Sequence, residues 1–366
     1  MRPWMALLAL APACGFSGSG GSEPMPDAGS VCVGSLIPIC FPASALPTMA
    51  RTLGAFDIDT DMVGSGALCD QNNDQKARYC VVTGARITLP VDMTLTAHGD
   101  KPLVLLSTGA VELQGTIDVS SHVTGARLRG AGADPNDSQA CAFAMPATVA
   151  RAGGGGAGAS LGTQGGAGGN PAAQVAGGGL PGNKLAAVPS AVRGGCRGGD
   201  GTANVGSPAA GGDGGGAIAV IATLQIHLDG ATINASGGGG AGATRLAVNG
   251  GGGGGSGGMI VFDSPQPVVF GANSKLWANG GSGGQGSTAT IDGAGGGESS
   301  SPMTAASSTS VAGGGGPGGA GSQGSKLGTG GQDGPADGGG GGGGGGGGFI
   351  HGPGLTASDS ISPPPS

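Results

Sequence analysis

Charge, aromatic rings, long apolar runs and helical periodicity are all scarce in this chain of 366 residues. Charged residues make up 10% and aromatic residues 3%. Disordered chains usually combine high charge with low hydrophobicity, and 37% hydrophobic residues beside so little charge do not fit that class. The 15 Lys and Arg against 22 Asp and Glu leave a net charge of −7. That balance argues against nucleic acid as a partner, because phosphate binding needs clustered cations. Two RGG units in "VRGGCRGG" (192–199) are what chance supplies where glycine is common. Aromatic side chains dominate most binding hot spots, so binding here is expected to be shallow and to use backbone and small polar groups. After the N-terminal segment, no run approaches the roughly 18 apolar residues of a membrane helix.

Motifs with a mechanism are equally few. No GK[ST] completes a phosphate loop, and no CxxC or neighbouring histidine accompanies the cysteines as a zinc site would require. G-x-S-x-G occurs at Gly254–Gly258 and Gly280–Gly284, inside tracts where glycine fills nearly every position. A nucleophile elbow needs a helix after the serine, and neither tract offers one.

Glycine is what the chain has in excess. Of 90 glycines, 16 lie in residues 1–150 and 74 in residues 151–366, including eleven in succession from Gly338 to Gly348. Collagen would need glycine at every third position, and "RAGGGGAGASLGTQGGAGGNPAA" keeps no such period. Ordering a glycine costs about 0.5–1 kcal/mol more than ordering alanine. Eleven in a row therefore either pack side by side with extensive backbone hydrogen bonding, as in polyglycine II, or stay mobile. Partial order is expected in 138–216, where a Cys141–Cys196 bridge would close the loop.

The N-terminus reads "MRPWMALLALAPACGFSGSGGS". Arg2, the apolar Met5–Leu10 and the small residues Ala11-Pro12-Ala13 form the three parts of a secretory signal. "LAPAC" resembles a bacterial lipobox, so residues 1–13 are expected to be removed and Cys14 to carry lipid. Ordinary cleavage before an unmodified cysteine is the alternative. Six cysteines remain, an even number suited to an oxidising compartment. Their spacing favours Cys32–Cys40 and Cys69–Cys80, leaving Cys141–Cys196.

Residues 14–50 read as a Ser/Gly/Pro tether. Beyond them, "PLVLLSTGAVELQGTIDVSS" from Pro102, "AIAVIATLQIHLDGATINASGGGG" from Ala217, "MIVFDSPQPVVFGANSKLWANGGSGG" from Met259 and a truncated "FIHGPGLTASDSIS" from Phe349 form an irregular repeat. Each opens with an apolar strand, and the first three add an alternating strand, a turn and a short third strand. Repeats of this kind imply a solenoid. The expected fold is all-β: a short, irregular, right-handed parallel β-solenoid with long glycine-rich insertions, handed by the bias of parallel crossovers. Coils are expected at 51–137 and 217–290, insertions at 138–216 and 291–348, and a last coil with a Pro-rich tail at 349–366. A polyglycine II bundle with the strands as caps is the runner-up.

Together, the signal ending in cysteine, the strand segments, "RGGC", "GGSGGMIVFD", "ANGG" and the terminal "SPPPS" resemble the glycine-rich, PGRS-like lipoproteins of myxobacteria, whose function is unknown. The resemblance covers most of the chain and lacks the helical PE domain of the mycobacterial proteins. It implies a cell-envelope location.

Candidate chemistry is sparse. Asp57, Asp59 and Asp61 in "FDIDTD" fall on one face of an extended segment, with Asp70, Asn72, Asn73 and Asp74 following, and could hold calcium. No other cofactor is expected. The bland reading is an acidic edge that discourages sheet aggregation. A polysaccharide-acting β-helix lyase or hydrolase would need clustered carboxylates with a basic partner; Glu112, Asp118, Asp229, Asp263 and Lys275 are the scattered candidates. The expectation is a non-enzymatic outer-membrane lipoprotein, or failing that a secreted protein, with a structural, adhesive or matrix-contact role.

Overall fold

The computed structural model describes residues 29–62, 68–123, 128–135, 141–148, 152–171, 177–245 and 247–366. The signal segment 1–13 and Cys14 lie outside these residues. Regular structure among them is strand, apart from one short 3-10 turn at Ala43–Ala45. Ser30–Val33 (β1) and Ile39–Pro42 (β2) form an antiparallel hairpin. Part of the segment expected as a tether is therefore folded, because Ile39 and Phe41 are fully buried.

Three parallel sheets follow. The first contains β3 (Arg51–Thr52), β6 (Ile87–Leu89), β9 (Val111–Leu113), β12 (Ile226–Leu228) and β15 (Val269–Phe270). The second contains β4 (Phe56–Asp59), β7 (Thr94–His98), β10 (Thr116–Asp118), β13 (Thr232–Asn234), β16 (Lys275–Trp277) and β18 (Ile361–Ser362). The third contains β5 (Cys80–Gly84), β8 (Leu103–Ser107), β11 (Ala217–Ala222), β14 (Met259–Asp263) and β17 (Phe349–His351).

Register explains the alternation seen in the sequence. In the second sheet Leu95, Ile117, Ile233, Leu276 and Ile361 stand in one column and are buried in the main core. The third sheet is mostly apolar on both faces because both are covered. Leu103, Leu105, Ile218, Val220, Ile260 and Phe262 join the main core. Val104, Leu106, Ala219, Ile221 and Val261 face a second core that includes Ile39 and Phe41 of the hairpin.

These observations correct the expected right-handed parallel β-solenoid with glycine-rich insertions. Beyond the β1–β2 hairpin the described strands lie in three distinct parallel sheets, with no closed solenoid among the described residues, and the glycine tracts are not excursions. The described residues between β10 and β11, between β13 and β14 and between β16 and β17 build a second body, whose glycine tracts bond most of their backbone N–H groups to other tracts. An insertion would turn those groups to water.

The body's rule shows in residues 338–348. Gly339, Gly342, Gly345 and Gly348 donate to the carbonyls of Ser287, Gly284, Gly281 and Ala278 at 2.8–2.9 Å. Gly340, Gly343 and Gly346 donate to Gly153, Gly156 and Ala159, and Gly341 and Gly344 to Gln332 and Thr329. Every third residue thus faces the same neighbour, the three-residue repeat of polyglycine II and its relatives. The same stretch accepts bonds from 162–169, 251–257 and 316–322 in the same rhythm. Six tracts therefore surround it. A second fully surrounded rod, 250–258, donates to 196–202, 340–346 and 235–241 and accepts from 156–159, 212–215 and 281–287.

Close packing explains the composition. A Cβ at Gly340, Gly342 or Gly344 would fall well inside 3.0 Å of a neighbouring carbonyl oxygen, so nearly every position of a surrounded rod requires glycine; Ser256 in the second rod is buried with its hydroxyl accepting the Cys196 N–H at 2.8 Å. Rods at the rim need glycine only on covered faces: in 328–334, Gly328, Gly331 and Gly334 point at the central rod and Thr329, Gln332 and Asp333 fill the gaps. All eleven glycines of 338–348 donate a hydrogen bond, Gly347 to Thr163 Oγ1. At a net ~1 kcal/mol each, those bonds offset the roughly 5–11 kcal/mol cost of ordering them.

Candidate functional site

The acidic candidates do not converge. On β4, Asp57 accepts from Thr96 Oγ1 at 2.8 Å and lies 3.5 Å from His98 Nε2. Asp59 accepts the Asp61 N–H at 3.0 Å, and Asp61 accepts the Asp100 N–H at 2.8 Å. Among the described residues no group of three or more His, Cys, Asp or Glu side chains is placed to hold a metal. Asp70 caps its own turn through the Asn72 N–H and accepts from Thr83 Oγ1. Asp74 accepts the Cys40 N–H. These groups fasten loops.

The enzyme candidates are dispersed over three sheets. Glu112 on β9 pairs with Arg86. Asp263, at the end of β14, accepts the Ser35 N–H at 2.6 Å, the Ser35 hydroxyl at 2.7 Å and the Leu36 N–H at 2.8 Å. It clamps the β1–β2 hairpin to the third sheet. Asp229 follows β12, and Lys275 lies on β16.

Asp118 alone joins a larger constellation, and its partners were not visible as such in the sequence. His122 Nε2 lies 3.4 Å from Asp118 Oδ2 and 3.2 Å from Ser120 Oγ, while Nδ1 lies 2.9 Å from Glu298 Oε2. Ser120, His122 and Glu298 thus share the contacts of an acyl-transfer triad. Their electrostatics point elsewhere. Hydrogen bonds to Asp118 and then Glu298, against an opposing burial effect, hold the imidazole pKa up at about 10. The ring is therefore cationic at neutral pH and has no lone pair for a serine proton. Ser120 is buried, donates to Asp118 Oδ1 at 2.6 Å and accepts from Asn234 Nδ2 at 3.0 Å. Burial pushes the Asp118 carboxyl up, but hydrogen bonds from His122 and Ser120 outweigh it and leave it below the usual range. The cluster is an ion-pair staple: Glu298 also accepts the Val123 N–H and ties two segments 175 residues apart.

Another carboxylate is out of balance. Asp134 Oδ1 accepts the Gly214 N–H at 2.7 Å, while Oδ2 is buried without a partner. Burial, with Asp213 adding to it, raises its pKa to about 7, against the lowering effect of the Gly214 bond, Arg129 and Arg197.

The three disulfides join Cys32 to Cys40 and Cys69 to Cys80, the pairs that spacing favoured, and Cys141 to Cys196, the pair left over. The last pins segment 141–148 to the rod 194–202. Between them lies an open trough of about 520 Å³, walled by Phe143, Met145 and Pro146 and lined on the rod side by Arg197, Asp200 and Thr202. Segment 141–148 is held further by backbone bonds between Met145 and Leu180 and from Thr148 to Gly177. Compared with known proteins, the chain matches no family model, no curated protein and no solved structure.

Proposed function

We propose that the protein is a non-enzymatic scaffold of a bacterial cell envelope, anchored through lipid on Cys14 and serving a structural, adhesive or matrix-contact role. The observation that carries this reading is the bundle. Its interior is held by backbone groups, which leaves the side chains of the rim rods and turns free for display. Three disulfides and two well-buried cores suit a rigid body working outside the reducing cytosol. The lipobox-like "LAPAC" and the resemblance to myxobacterial lipoproteins supply the location. The rival, a polysaccharide-acting enzyme, has in its favour only the Ser120–His122–Glu298 contact, whose charge state is wrong for a nucleophile.

Deleting the chain from the producing cell, and restoring it, tests the reading. Loss and recovery of attachment to matrix or neighbouring cells is the expected outcome. Release of reducing ends or unsaturated sugars by the purified protein would overturn it in favour of the enzyme.

A further inference from the structure

The trough under segment 141–148 has the features of a built site. The three-residue repeat of the rod places Arg197, Asp200 and Ala203 in one line parallel to its axis, at about 9 Å per repeat. Arg197 Nη2 donates to Asp200 Oδ1 at 2.6 Å, and Arg197 Nε lies 3.8 Å from Asp213 Oδ1. Both ends of the opposite wall are fixed, one by Cys141–Cys196 and the other by Thr148. Phe143 is half-buried and Met145 is exposed. The floor between them is bare backbone: a Cβ on Gly199 would point to 3.6 Å from Phe143 Cζ. An apolar wall over a flat floor, with a few polar groups in a row, suits a ligand that has an apolar face and a hydroxylated edge.

We propose that this trough binds a linear, neutral polysaccharide chain, lying along the rod with sugar C–H faces on Phe143 and hydroxyls on Arg197 and Asp200. Neutrality follows from the charges: Asp200 and Asp213 outnumber Arg197, so an anionic chain gains no unpaired cation. A wall fixed in advance lowers the ordering cost of binding. The proposal rests on the matrix-contact reading and names its ligand class.

The test is calorimetric titration of the folded, disulfide-intact protein with cello-, xylo- and malto-hexaose, and with oligogalacturonate as the anionic comparison. At least one neutral series is expected to bind, with affinity at least ten-fold weaker in Phe143→Ala and in Arg197→Gln. Met145→Ser, on the exposed rim, is a third variant should Arg197→Gln disturb the fold. Thermal melts of Phe143→Ala and Met145→Ser are expected to match the parent. Binding of oligogalacturonate alone, binding unchanged in both wall variants, or binding of no neutral hexaose would each overturn the proposal. Cells carrying Phe143→Ala separate the two readings: normal attachment there, with loss on whole-gene deletion, would remove the trough and leave the adhesive role standing.

Discussion

A single methyl group separates the two kinds of glycine in this protein. At Gly344 a Cβ would collide with the Ala320 carbonyl, whereas at Gly330 the nearest atom is the Ala167 oxygen at 3.4 Å. Backbone cannot move aside in a rod that is bonded on every face. Gly344→Ala is therefore expected to cost about 3 kcal/mol or more, the upper range of overpacking. Gly330→Ala should be neutral, or stabilise by up to about 1 kcal/mol by restricting the unfolded chain. Paired urea melts decide it, and equal losses at both sites would contradict the packing rule. Asp134 makes the complementary case for charge. Its folded pKa of about 7 lies above the ordinary 3.8, so folding favours the protonated form. Stability should be greatest at low pH as far as this group is concerned, and fall as pH rises from about 4 towards 7. At roughly 1.4 kcal/mol per unit, the span is of order 4 kcal/mol. Asp134→Asn should flatten that slope in melts taken across the same window.

Elements are joined by staples whose partners are remote in sequence. Cys141–Cys196 holds the trough wall against the bundle across a separation of 55 residues. In the chain-entropy account a loop of that size contributes about 4 kcal/mol. The double variant Cys141→Ser/Cys196→Ser should lose that order of stability in denaturant melts while the strand signal in circular dichroism persists. The His122 staple has the same sign of pH dependence as Asp134 but in a higher window. Its folded pKa near 10 exceeds the ordinary 6.5, so its contribution is complete below about 6.5 and is lost as pH rises through 10. Glu298→Gln should lower the His122 pKa measured by NMR titration. A pKa unmoved by that change would show that Glu298 does not hold the ring's charge.

For the molecule as a whole, two bodies share one chain. Strands of the third sheet run directly into rods, as where Gly348 leads into Phe349 and Gly258 into Met259, so neither body is complete before the other is in place. Most neighbouring rods are distant in sequence, which predicts slow, cooperative folding. The envelope reading adds a chemical expectation: mass spectrometry of the membrane fraction should find the mature chain beginning at a lipid-modified Cys14. An unmodified Cys14 on protein recovered only from the medium would remove the anchor from the proposal.

What the sequence determined by itself is local. Alternating runs such as "GTIDVSS" and the uninterrupted "AIAVIA" specify strands with one or two covered faces, and short spacing suffices to pair Cys32 with Cys40 and Cys69 with Cys80. The need for backbone contact is also legible wherever glycine excludes every other residue. Which rod lies beside which was decided only in three dimensions. Glycine tracts carry no side chain to name a partner, and their hydrogen bonds are interchangeable from one tract to the next. The order among them must be imposed by the sheets that anchor their ends. The same reason hid the His122–Glu298 pair and the burial of Asp134, because both depend on where tracts without markers of their own come to rest.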